Sequence, residues 1–167
     1  MNIELEHYNN AWPTLFEKEK DFLFHKIGHW LVGSIEHVGS TAVPGMVAKP
    51  VIDIMFGVRG LDASADAIGV LQDSGYCYYP YKPTVMHWFC KPTPEFRTHH
   101  LHLVPYKSPL WQDRINFRDI LRSNSEIAEK YGHLKESLVK NLACDREAYT
   151  ESKWPFIRKV LDGGISE

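Results

Sequence analysis

The chain has 167 residues, with 19 basic and 21 acidic side chains, nine histidines, three cysteines and 44% hydrophobic residues. That length and balance suit one compact domain with a real core, and they exclude a disordered or fibrous chain. The formal net charge of −2 argues against a protein built to grip a nucleic-acid polymer, and three cysteines make no disulfide framework.

The first ten residues are polar and no apolar run follows them, so no secretory leader is expected. No apolar run approaches the roughly 20 residues that span a bilayer. A cytoplasmic location is the expectation, with no membrane partner. Nothing reads as an interdomain linker, so residues 1–167 are expected to form a single domain.

Residues 11–31 place Trp12, Leu15, Phe16, Phe22, Leu23, Ile27, Trp30 and Leu31 at helical spacing, with Pro13 in the first turn. Ser34–Val38 is a short strand-like run that ends in Gly39-Ser40-Thr41. A Pro44-Gly45 turn follows, then the nearly continuous apolar run Val51–Phe56, which suits a central strand. Residues 61–74 predict a helix, capped by Asp62 or Ser64 and stopped by Gly75. Tyr76–Tyr81, Val85–Lys91 and Arg97–Val104 predict three further strands.

From Pro109 onward the pattern is helical: Trp111–Arg122, Ser125–Leu142, and Asp145 to about Leu161, with a break expected at Pro155. The order predicts an α+β fold: a mixed sheet, an N-terminal helix and a helical C-terminal half.

Asp53 is the anomaly of the central run. A carboxylate in an apolar strand is costly unless it meets a cation, a donor or water, so Asp53 either faces a site or pairs with a neighbour such as Lys49, Arg59, Arg97 or a histidine. Gly39-Ser40-Thr41 offers backbone N–H groups and two hydroxyls where a ligand can approach the chain closely, as phosphate-binding turns do.

In Thr98–Leu103, strand alternation puts His100 and His102 on one face and His99, Leu101 and Leu103 on the other. Two imidazoles beside Asp53 would compose a two-histidine, one-carboxylate metal site, a phosphate site or an acid–base pair. Arg114 and Arg118 lie four apart on one helix face, as do Tyr149 and Lys153 on another. The arginine pair is spaced to meet phosphates, with a solvated helix face the favoured alternative, and a lysine stem packed on tyrosine is usually structural.

The blocks Glu36–Gly45, Ala48–Ile54, His99–Leu103, Phe117–Arg122 and Glu147–Lys153 together resemble the signature of the GrpB family, across about residues 5–161. The resemblance implies a nucleotidyltransferase-like fold of the DNA polymerase beta type. In that superfamily a Gly-Ser turn leads to an Asp-x-Asp strand, and a third carboxylate follows on a later strand. The three hold two divalent metals for nucleotidyl transfer.

Carried over, Gly39 and Ser40 match the turn and Asp53 matches the first carboxylate. Position 55 is Met55, and the later strand carries His100 and His102. The resemblance therefore implies a catalytic pair Asp53 and His102, and a metal set Asp53, His100 and His102 for Mg²⁺, Mn²⁺ or Zn²⁺. Ligand-binding Gly39, Ser40, Thr41, Lys49, Arg97 and Arg118 would face a small anionic, nucleotide-like molecule. GrpB-like sequences also occur fused behind dephospho-CoA kinases. The other expectation is therefore a non-catalytic module that binds a nucleotide, a CoA-like ligand or a protein partner.

Overall fold

The computed structural model describes residues 2–164. Its centre is a five-stranded sheet of β1 (Leu31–Val38), β2 (Ile52–Val58), β3 (Cys77–Tyr79), β4 (His87–Pro92) and β5 (Arg97–Pro105), in the order β1-β2-β5-β4-β3. β2 and β5 run parallel and the other neighbours antiparallel. Helix α1 (Trp12–Ile27) precedes the sheet, α2 (Ala67–Asp73) joins β2 to β3, and α3 (Pro109–Ser123), α4 (Ser125–Leu142), α5 (Arg146–Glu151) and α6 (Trp154–Leu161) form the C-terminal half. The expected α+β class with a mixed sheet is what the chain adopts. No helix among the described residues is long and apolar enough to cross a membrane.

The sheet has two unlike faces. On one, α1 lays Trp12, Phe16, Leu23 and Ile27 against Ile54, Phe56, Leu101 and Leu103, and α2 adds Ala67 and Leu71. This is the main core, and period-two alternation along each strand builds it. On the other face one cross-strand row reads Val38, Asp53, His100, Cys90, Cys77, and the next reads Glu36, Met55, His102, Trp88, Tyr79. Helix α3 covers part of that face through Trp111. Helices α3, α4 and α6 share a third cluster with Val43 and Met46 from the loop after β1.

Side-chain caps start α4 and α5. The Asn124 and Asp145 carboxamide and carboxylate oxygens accept from the backbone N–H of Ile127 at 3.0 Å and Ala148 at 2.9 Å. Each satisfies a donor that the first helical turn leaves open. The expected break near Pro155 falls at residues 152–153, with Pro155 in the first turn of α6.

Three boundaries differ from the sequence pattern. The first helix ends at Ile27, and the chain tightens through a 3-10 turn, Gly28–Trp30, into β1. Trp30 and Leu31 prolong the helical spacing, but Gly33 at φ +76° sits under the Tyr106 ring and bends the strand start. The helix expected from residue 61 begins at Ala67. Ser64 points its hydroxyl back to the Gly60 carbonyl at 2.8 Å, which is a turn contact and not an N-cap. β3 shortens to three residues.

On the core face α1 is fastened by a polar contact. Glu19, 7% exposed, accepts from Lys91 Nζ and from the Tyr76 hydroxyl, each at 2.6 Å, and lies 3.9 Å from His99 Nε2. Burial and the Glu19 charge push the Tyr76 hydroxyl well above its ordinary range. Removing one partner of such a network strands the others without water. Glu19→Ala is therefore expected to cost about 3 kcal/mol in urea unfolding. Leu15→Ala, at a position 42% exposed on the same helix, is expected to change little.

Candidate functional site

The polar rows on the second face open into a cleft of about 500 Å³. Asp53 forms its floor. The His100 Nδ1–H donates to Asp53 Oδ1 at 3.0 Å, which fixes that ring's orientation and leaves its Nε2 buried without a partner. His102 Nε2 stands 3.5 Å from the same oxygen, and its Nδ1 meets the Met86 sulfur at 3.5 Å. The alternation expected for the histidine strand is observed: His100 and His102 face Asp53, and His99 faces Glu19. His87 stays out of this group, bonding the Leu61 carbonyl at 3.0 Å.

Burial alone would raise the Asp53 carboxyl, but His100 and His102 beside it hold it well below the usual carboxylate range. Burial, reinforced by the Arg114 charge, takes His102 down to about 4 against the pull of Asp53. At neutral pH the floor is thus an anionic carboxylate with a neutral His102 alongside.

The turn after β1 is shaped around this carboxylate. Gly39 adopts φ +73°, and a Cβ at that position would lie 2.5 Å from Asp53 Oδ2. Only glycine allows both the backbone conformation and the close approach. Ser40 then turns into the cleft, where its Oγ accepts from Lys135 Nζ at 2.8 Å. The Thr41 hydroxyl donates to the Val51 carbonyl at 3.2 Å, so the His37 Nε2–H donates to Thr41 at 2.9 Å. Thr41 thereby joins the two strands beneath the turn. His37 stacks on Phe16 at 4.8 Å, and burial, with Arg122 and Arg118 nearby, takes it down to about 4 against the Asp53 charge.

Met55 lies two residues from Asp53 on the same face but is fully buried, in one cluster with Met86, Trp88 and Trp111. A thioether is a poor ligand for magnesium, which prefers oxygen. Among the described residues no group of three or more His, Cys, Asp and Glu is arranged to hold a metal ion. Asp53, His100 and His102 meet instead through hydrogen-bond and ion-pair contacts. The donor set does not fit a two-metal centre.

The family model described as GrpB protein matches residues 2–163. The chain belongs to the GrpB family. It is 36% identical over 161 residues to the glutamate-rich protein GrpB of Alkalihalophilus pseudofirmus, spanning 93% of this chain and 91% of that one. It is 35% identical over 169 residues to a UPF0157 protein of Pseudomonas aeruginosa, spanning 98% and 68%. The crystal structure of conserved protein GrpB from Enterococcus faecalis is similar at a TM-score of 0.86 and 29% identity, over 96% of both chains. A chain of the GLD-2/RNP-8 complex matches at a TM-score of 0.59 and 14% identity, over 92% of this chain and 51% of that one, a likeness of fold alone.

In this GrpB-family chain the walls of the cleft are cationic. Lys49, Lys82, Arg97, Arg114, Arg118, Lys135, Arg146 and Lys153 line it, against the carboxylates of Asp53, Asp113, Glu147 and Glu151. They are not equally available. Arg118 is tied to Glu36 at 2.7 Å, to Asp119 at 2.9 Å and to the His37 carbonyl at 3.1 Å. Arg97 donates to the Pro94 carbonyl at 2.8 Å and lies 5.2 Å over the Trp88 ring.

Lys49 and Lys153 point their ammonium groups at the Tyr149 ring, 5.2 and 4.5 Å from its centroid. Burial takes Lys153 down to about 8 and, with Lys153 and Lys49 as like charges, takes Lys135 down to about 7. Lys49 is lowered by burial as well.

Lys135 completes the cleft beyond the residues singled out from the sequence, and both members of the Arg114–Arg118 pair line it. Lys135 had a visible signal: it falls on the buried face of α4 with Ile127 and Tyr131, at steps of four. A lysine on an apolar stripe asks for a partner, as Asp53 does in β2.

Gly39→Ala is expected to destabilise the fold by about 2 kcal/mol, because the methyl must displace the Asp53 carboxylate; thermal and urea unfolding measure it. A second expectation concerns pH. His37 titrates near 6.5 when unfolded and about 4 when folded, so the unfolded chain binds the extra proton between those values. Stability therefore falls as pH drops from about 6.5 towards 4, by up to about 3 kcal/mol from this residue. Urea unfolding across that range should show a flatter pH slope for His37→Gln than for the native chain.

Proposed function

We propose that this GrpB-family chain binds the phosphorylated end of a small, nucleotide-like anion in the cleft above Asp53. The observation that carries the reading is the convergence of Lys49, Lys135 and Lys153. Among the described residues neither the Lys49 nor the Lys153 ammonium has an ion pair or a hydrogen bond. Burial lowers all three, and Lys49 and Lys153 act on Lys135 as like charges. Asp53 pulls Lys49 and Lys153 the other way without offsetting their burial, so crowded like charges in a partly dry cleft still favour a further anion. Phosphate oxygens also suit the Ser40 hydroxyl and the ammonium donors, which form charge-assisted hydrogen bonds to them.

Nucleotidyl transfer is the second reading. The Gly39–Ser40 turn beside an ionised Asp53 supports it, as does the superfamily pattern that the sequence resembles. Asp53 and its two histidines then serve the reacting phosphate, while Lys49, Lys135 and Lys153 neutralise the charge that leaves. With Met55 filling the second carboxylate position, binding is the better supported of the two. A non-catalytic module would keep the lysines and the turn and lack turnover.

Isothermal titration with tripolyphosphate and with ATP, each with and without Mg²⁺, Mn²⁺ or Zn²⁺, tests both readings. Binding that weakens with salt and drops at least about tenfold in Lys49→Ala/Lys153→Ala supports the anion site. No binding at millimolar ligand, or binding that the double variant leaves unchanged, overturns it. Release of pyrophosphate from ATP with the nucleotidyl group recovered on an added hydroxyl acceptor, lost in Asp53→Asn with binding retained, supports transfer.

A further inference from the structure

The cleft has a second end whose chemistry differs from the first. Strand order sets the axis: the Gly39–Ser40 turn follows β1, Asp53 lies on β2, His100 and His102 on β5, Trp88 on β4, and Tyr81 just past β3. Adjacent strands are about 4.8 Å apart and Trp88 lies two strands over and one row along from Asp53, so the step between them is roughly 12 Å. That span matches the reach from the phosphates to the ring of a nucleoside polyphosphate.

At the far end the lining turns aromatic. Tyr81 and Trp88 approach edge to face, with centroids 6.3 Å apart at 74°. Trp154 comes from the start of α6, directly after Lys153. Both Tyr81 and Trp154 line the cleft and both are half-buried. Among the described residues the Trp154 ring meets no other aromatic ring. It meets Lys82, whose ammonium lies 5.0 Å from the Trp154 centroid and 5.4 Å from that of Tyr81. Two rings from separate elements thus share one exposed, mobile-stemmed cation, an arrangement that a flat ring can replace. Arg97, 5.2 Å over Trp88, adds a planar guanidinium to the same end.

We propose that the Tyr81–Trp88–Trp154 wall seats a flat heteroaromatic ring, so that the ligand lies across the strands with its phosphates at Ser40, Lys49, Lys135 and Lys153. The orientation rests on the phosphate reading above; the ring seat stands on the aromatic lining. Tyr81 and Trp154 are half-buried and Trp88 backs them from the core, and stacking on aromatic side chains tolerates any base. The wall therefore selects for the ring class, and base identity falls to the polar groups around it.

The test titrates the full chain with tripolyphosphate, with adenosine, and with ATP, GTP, CTP and UTP in turn. At least one nucleoside triphosphate is expected to bind about tenfold or more tightly than tripolyphosphate. Trp154→Ala and Tyr81→Ala should remove that excess and leave tripolyphosphate binding unchanged, while Tyr81→Phe should retain it. Far-ultraviolet circular dichroism checks that each variant is folded.

Equal affinity for tripolyphosphate and all four nucleotides, unmoved by either alanine variant, overturns the ring seat and leaves the phosphate site standing. Adenosine binding lost in Trp154→Ala, without tripolyphosphate binding, supports the ring seat and overturns the phosphate reading. Binding of neither probe overturns both.

Discussion

An ionised carboxylate on a central strand is the constraint around which this fold is arranged. Asp53 sits in β2 between Ile52 and Ile54, both buried, with paired strands on either side. Water cannot solvate it fully, so the protein must. Two devices do so. β5 places His100 directly across the parallel register, where its Nδ1–H reaches the carboxylate. The chain after β1 passes over the other oxygen without a side chain, at Gly39. Neither works alone: a histidine one register step away would face Glu19, and any Cβ at position 39 would strike the carboxylate. Strand pairing, turn conformation and site chemistry are thus one problem solved together.

The two sheet faces divide the work. The face under α1 and α2 is packed with aliphatic and aromatic side chains and supplies the burial that holds the domain together. The opposite face gathers Asp53, the two histidines and the lysines brought by the loop after β1, by α4 and by the α5–α6 junction. Crowded like charges are unfavourable for folding, and local contacts offset part of that. Lys135 donates to Ser40 and to the Val47 carbonyl, and the Tyr149 ring lies under both Lys49 and Lys153. Met55 marks the boundary between the two regimes. It shares the face of Asp53, yet it packs with Met86, Trp88 and Trp111 as core.

The sheet and its faces were legible because period-two alternation is a local signal. The apolar run around Asp53 announced a central strand, and the histidine spacing announced which rings would face the carboxylate. Family resemblance then placed the turn beside them. What escaped depends on tertiary contact. Helical spacing runs on to residue 31 because Trp30 and Leu31 keep the step, whereas the Gly33–Tyr106 contact at the strand start spans 73 positions of sequence. Ser64 had the composition of an N-cap, but its hydroxyl turned backward. Lys135 stood 95 residues from Ser40, and no local pattern connects them. Arg118 showed the reverse: helical spacing offered it to a ligand, and Glu36, 82 residues away, engages it first.

Net charge conceals the cleft. The whole chain is at −2, yet eight cationic side chains face four carboxylates in one cavity. Beyond about 8 Å at physiological salt the two signs are screened and little steering field survives. On the anion-binding reading proposed above, recognition would occur at contact, where lowered dielectric strengthens each ammonium–oxygen pair. An anion that enters meets the lysines together with four carboxylates, Asp53 among them, so its charged groups must be placed against the ammonium groups and away from that floor. The near-neutral balance of the whole chain and the cationic excess of the cleft are therefore compatible: the eight cations are gathered at one place, and the remaining side chains of the chain carry the compensating acid.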